Sequence, residues 1–86
     1  MANQTAARVL FDVGRRIASL RESHGHTQET FSELLRVSSK YFQRVEAGRE
    51  NLSIKSLVRI ANAFNIEVAE LFVVHRPTMM GEQQPH

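Results

Sequence analysis

Leu10, Val13, Ile17 and Leu20 recur at intervals of three, four and three, the spacing that places side chains on one face of an α-helix. This predicts a first helix from near Thr5 to about Ser23. Gly14 lies inside it, at a cost of ~1 kcal/mol relative to alanine, and Gly25 follows as a left-handed stop. Thr27 reads as the next N-cap, with Glu29 in the first turn favoured by the helix dipole. That second helix carries Phe31, Leu34 and Leu35. After a short break at Arg36-Val37, Ser38 caps a third helix with Phe42 and Val45 inside, ended by Gly48. Ser53 caps a fourth with Ile54, Leu57, Val58, Ala61 and Phe64 on one face, broken at Asn65-Ile66. Glu67 to Phe72 is long enough for a short fifth helix. The apolar residues of the first four segments, from Leu10 to Phe64, are the expected core. After Val74 the pattern dissolves, and both prolines fall in the last ten residues. The expected fold class is therefore all-α, a compact five-helix domain over residues 1–74 with a polar, mobile tail over residues 75–86.

A chain of 86 residues has room for one domain. The absence of cysteine excludes a disulfide scaffold, a thiolate zinc site, an iron–sulfur cluster and a cysteine nucleophile. No apolar run approaches the ~20 residues of a membrane span, and no signal segment opens the chain, so a cytoplasmic location and no membrane partner are expected. His24 and His26 are two apart, a poor spacing for one helical face. His75 and His86 lie in the tail, and no thiol or acid completes a site, so neither a metal nor another cofactor is expected. Asp12 is the sole aspartate and nothing resembles a nucleophile elbow, so the chain does not read as an enzyme.

The charge is uneven along the chain. Residues 1–35 are neutral overall and residues 60–86 carry −2, whereas residues 36–59 hold six basic residues against two acids, a net +4. Such concentration fits a nucleic-acid footprint, and equally a solvated basic face. The helix pattern gives it a purpose. Two short helices joined by a three- or four-residue turn suggest a helix-turn-helix, in which the first helix braces the second against the DNA major groove. Ser39, Lys40, Gln43 and Arg44 share one side of the third helix, while Phe42 and Val45 turn inward. Arg and Lys can donate to guanine O6 and N7, and Gln can pair with adenine. Tyr41 can pack, bond a phosphate or touch a thymine methyl.

Residues 13–72 resemble the helix-turn-helix family of phage Cro and repressor proteins, the XRE family of bacterial regulators. The resemblance is carried by Val13-Gly14-Arg15-Arg16-Ile17-Ala18-Ser19-Leu20-Arg21, Thr27-Gln28-Glu29-Thr30-Phe31, Val45-Glu46-Ala47-Gly48-Arg49 and the stretch from Leu57 to Ile66, in order and at family spacing. It implies a repressor-like domain with a central helix-turn-helix. It further implies base reading by Ser39, Lys40, Gln43 and Arg44, and phosphate contacts by Gln28, Arg49 and Asn51. Arg21 and Glu46 match a structural ion pair tying the first helix to the end of the third. Two positions depart from the family pattern: Arg36 stands where the turn usually has Gly, and Ser32 where the bracing helix usually has Ala.

The function implied is sequence-specific recognition of double-stranded DNA by a transcriptional regulator, repressor-like or autoregulatory, working by occupancy of its operator. Restriction–modification controllers and antitoxins are both small enough to fit. The alternative is a protein-interaction adaptor that keeps the fold without reading DNA, against which the polar and basic face of the third helix argues. Ile66, Val68, Leu71, Phe72, Val73 and Val74 are more apolar groups than one short helix face needs, so a homodimer through Ile66, Val68, Leu71, Phe72 and Val73 is expected, matched to a palindromic operator. Whether a toxin or polymerase is a further partner is not encoded legibly.

Overall fold

Thr5, Thr27, Ser38 and Ser53 hold extended backbone angles, and each side-chain oxygen accepts the amide N–H three residues on, from Arg8, Thr30, Tyr41 and Ser56 respectively. These caps satisfy donors that a helix start leaves open. They begin α1 (Ala6–Ser23), α2 (Gln28–Leu35), α3 (Ser39–Glu46) and α4 (Ile54–Phe64) of the computed structural model, which describes residues 3–74. Each helix ends at a residue with positive φ: Gly25, Arg36, Gly48 and Asn65. The next amide then reaches back five residues, His26 to Arg21, Val37 to Ser32, Arg49 to Arg44 and Ile66 to Ala61, at 2.8–3.1 Å. All four helices thus close in the same left-handed motif.

Arg36 adopts this conformation without being glycine, at φ 62° and ψ 44°. A Cβ there costs ~1–2 kcal/mol. Arg59 of α4 donates Nη2 to the Leu35 carbonyl beside it, at the end of α2. Arg36→Gly should raise stability by about 0.5–1 kcal/mol, the relieved strain less the added freedom of the unfolded chain. Thermal unfolding of the free protein should show a midpoint a few degrees higher, at about 4–8 °C per kcal/mol.

The core joins Val13 and Ile17 of α1, Phe31 and Leu35 of α2, Phe42 and Val45 of α3, and Leu57, Ile60, Ala61 and Phe64 of α4. Phe31 stacks on Phe64 with centroids 4.6 Å apart and meets Phe42 at 5.3 Å, so one ring unites three helices. Leu10 and Leu20 are only half-buried. Three residues expected inside are on the surface: Leu34, Ile54 and Val58. The reason is angular. At about 100° per residue, Phe31, Leu35 and Ser32 span one arc of α2 and Leu34 falls outside it. In α4 the buried arc runs from Ile60 through Phe64 and Leu57 to Ala61, leaving Val58 at its edge, and Ile54 overhangs in the first turn. Ser32 is buried, and its Oγ donates to the Glu29 carbonyl at 2.8 Å, which removes the penalty of a hydroxyl in that place.

Among the described residues there is no strand and there are four α-helices, not five. The fifth segment is a 3₁₀ helix, Val68–Phe72. Five residues offer too few α-type bonds to offset helix initiation, and the tighter i→i+3 winding is the usual form for so short a piece. It buries Leu71 completely, and Arg16 of α1 holds its end by donating Nε to the Glu70 carbonyl at 2.9 Å.

Gly14 explains how α1 reaches α3. A Cβ there would stand 2.5 Å from the Glu46 carbonyl oxygen and 2.6 Å from that of Val45. The last turn of α3 occupies the space a side chain would need. None of the described helices is long and apolar enough to cross a membrane. The tail expected over residues 75–86 lies outside the described residues.

Candidate nucleic-acid interface

The α2–turn–α3 unit is positioned from behind by one polar cluster. Arg21, in the last turn of α1, donates Nε to Glu46 Oε2 at 2.6 Å and Nη2 to Glu46 Oε1 at 3.2 Å. Its Nη1 donates to the His26 carbonyl at 2.7 Å. Gln28, the first residue of α2, donates Nε2 to Glu46 Oε1 at 2.8 Å. Arg21 and Glu46 are both buried. The hydrogen bond to Glu46 raises the Arg21 pKa above its ordinary value, with burial opposing. An acid at the C-terminal end of α3 would by itself oppose the helix dipole, and the guanidinium neutralises it. Four elements meet here: the end of α1, the loop after it, the start of α2 and the end of α3.

From this anchored frame α3 presents its other side. Phe42 and Val45 are buried, whereas Lys40, Gln43 and Arg44 are exposed and Ser39 is half-buried. The four residues expected to read bases therefore share the side of α3 away from the core. Tyr41 is half-buried and packs against the core. Arg44 is held as well as exposed. Its Nε donates to Glu50 Oε2 at 2.6 Å, and its guanidinium carbon lies 5.9 Å from the Tyr41 ring centroid.

The residues expected at phosphates are placed differently from one another. Gln28 sits at the positive end of α2, with its amide nitrogen already engaged by Glu46 and one further N–H to offer. Arg49 is exposed, and its backbone closes α3. Asn51 is exposed on the loop after α3 and borders a shallow groove with Leu10, Leu52 and Phe72.

The expected dimer residues separate into two sets. Leu71 is wholly buried in the core of the chain itself, which leaves it no surface to offer a partner. Ile66 and Val68 are half-buried against the same core. Phe72 and Val73 are exposed, and Val74 beside them. The 3₁₀ winding divides the segment this way, sending Leu71 inward. The rings of His24 and His26 pack on Phe64 and Phe31.

Sequence reasoning missed Glu50 and Arg59. An acid within a basic segment, six residues after an arginine and just past a left-handed glycine, was the available signal for Glu50. No signal in the sequence marked Arg59, whose acceptor is a backbone carbonyl 24 residues away.

The family model described as helix-turn-helix matches residues 17–71, from the middle of α1 to the 3₁₀ helix. The chain is 30% identical over 63 residues to the competence pilus inhibition repressor of Acinetobacter baylyi, covering 73% of this chain and 57% of the relative. It is 32% identical over 72 residues to the immunity repressor protein of Bacillus phage phi105, covering 84% and 49%. The chain thus spans about half the length of these curated relatives. Among solved structures it matches the restriction-modification controller protein C.AhdI from Aeromonas hydrophila at a TM-score of 0.69 and 36% identity, over 73% of this chain and 96% of that one.

Proposed function

The chain belongs to the helix-turn-helix family, and from that membership we propose that it is a sequence-specific DNA-binding transcriptional regulator. It acts without catalysis, by occupying an operator in the cytoplasm. The observation that carries this is the division of α3 into a buried apolar side and an exposed side bearing Lys40, Gln43 and Arg44. Ser39, Lys40, Gln43 and Arg44 read base edges in the major groove. Gln28, Arg49 and Asn51 meet phosphates on either side. Repressors among its relatives favour repression. The likeness to a restriction-modification controller over nearly the whole of that chain favours a controller over an antitoxin.

Arg44→Ala should lose about 1–3 kcal/mol on a duplex selected by the wild type from a random pool, and relax the preference at one base pair. Gln28→Ala should weaken selected and scrambled duplexes alike, because a phosphate contact positions without specifying. Equal losses on both duplexes for Arg44→Ala would refute base reading. No salt-dependent binding to any duplex would favour the adaptor reading instead.

A homodimer completes the proposal, because one module of this size buries too little DNA surface for useful specificity. Phe72 and Val73 supply its apolar contact, and the two α3 helices enter successive major grooves of a palindrome, about 34 Å apart. Phe72→Asp should convert a dimer to a folded monomer in sedimentation at micromolar concentration. Leu71→Asp should unfold the chain.

A further inference from the structure

Glu50 stands out as an acid on the face that would meet DNA, within the most basic segment of the chain. A carboxylate there repels phosphates, so its placement calls for a return. The turn at Gly48 brings it back alongside α3, where Oε2 accepts from Arg44 Nε at 2.6 Å. The Glu50 side chain is 24% exposed and that of Arg44 49%. The pair is thus anchored at the acid and open at the guanidinium. The Tyr41 ring centroid lies 5.9 Å from Cζ of the same guanidinium.

The atom used is the informative detail. Arg44 bonds Glu50 through Nε, which leaves Nη1 and Nη2 for a base. Those two amino groups form the end-on fork that matches guanine O6 and N7. A fork built from Nε and one Nη is excluded while Glu50 holds Nε. An unrestrained arginine can instead swing to a phosphate, where it would add affinity and no sequence information.

We infer that Glu50 is a specificity-determining positioning residue, which fixes Arg44 so that its terminal amino groups read a guanine and do not stray to the backbone. This rests on the DNA-reading function proposed above. Glu50 lowers total affinity through its charge and raises discrimination through its hydrogen bond.

The test uses the full chain and the duplex that the wild type enriches from a random pool, with each G·C pair of that duplex replaced in turn. Wild type, Glu50→Ala, Glu50→Gln and Arg44→Ala are titrated against the whole set. Circular dichroism confirms that each variant is folded. Glu50→Ala should reduce the preference at one G·C pair by on the order of tenfold, the usual size of coupling between contacting residues. That pair should be the one lost in Arg44→Ala. Binding to the scrambled duplex should tighten, since a repulsive charge is gone. Glu50→Gln keeps an oxygen that accepts from Nε, and should retain much of the preference while tightening in the same way. If Glu50→Ala and Glu50→Gln both tighten binding equally on all duplexes and leave the G·C preference intact, Glu50 is an electrostatic brake and the inference is overturned. A preference lost at a different pair from that of Arg44→Ala also overturns it. A wild type that enriches no sequence would remove the DNA-reading function itself, a result distinct from either.

Discussion

Glu46→Ala should destabilise the free protein by about 3–5 kcal/mol, the cost of leaving a buried charge without its partner. Arg21 would keep the His26 carbonyl and, at 3.7 Å, only the exposed carboxylate of Glu22, and Gln28 would lose its acceptor too. For a chain of this size a loss of that order is a large part of a total near 5–10 kcal/mol, so substantial unfolding is expected at 37 °C. The surviving fold would also bind DNA poorly, because the cluster sets the angle of α2 and α3 against α1. Denaturant titration of Glu46→Ala, Arg21→Met and the double variant Arg21→Met/Glu46→Leu gives the test. The apolar pair should recover most of what either single change loses. A loss below about 1 kcal/mol for Glu46→Ala, the range of exposed ion pairs, would mean that the cluster does not hold the helices together.

Gly14→Ala should also destabilise the chain, although it improves a helix by propensity alone. Alanine gains ~1 kcal/mol in a helix interior. Against this, its methyl group would need space that the Val45 and Glu46 carbonyl oxygens occupy at 2.6 and 2.5 Å. These are backbone atoms, so relief requires moving α1 from α3. Overpacking of that kind costs about 1–3 kcal/mol beyond the propensity gained. The unfolding midpoint should fall by about 4–8 °C for each kcal/mol. Gly25→Ala is the matched control, because nothing lies within 4 Å of a Cβ there and only its φ of 79° resists substitution. A Gly14→Ala protein as stable as wild type would show that α1 and α3 can separate without penalty.

Helix starts and stops were legible from the residues. Thr27, Ser38 and Ser53 cap, and Gly25, Gly48 and Asn65 close, because the bonds involved span three to five positions along the chain. The exposed polar side of α3 was legible for the same reason, since Phe42 and Val45 define the opposite arc. Membership of the family followed from several such short patterns in order. What needed the tertiary structure was every choice between faces and every partner distant in sequence. Leu34 and Val58 are as apolar as their neighbours, and only the position of the surrounding helices leaves them outside while Ile60 and Ser32 go in. Six apolar groups lie within nine residues of the last segment, and only the packed 3₁₀ helix shows that Leu71 goes in while Phe72 and Val73 stay out. Gly14 reads as a weakness until α3 is seen against it, and nothing in the residues around Gln28 announces that its amide also bonds Glu46, 18 positions on. Local hydrogen bonds and periodicity are properties of neighbouring residues, so the sequence by itself determined where the helices lie. Packing and charge pairing are properties of surfaces brought together from far apart in the chain, so only the fold decided which side of each helix is the inside.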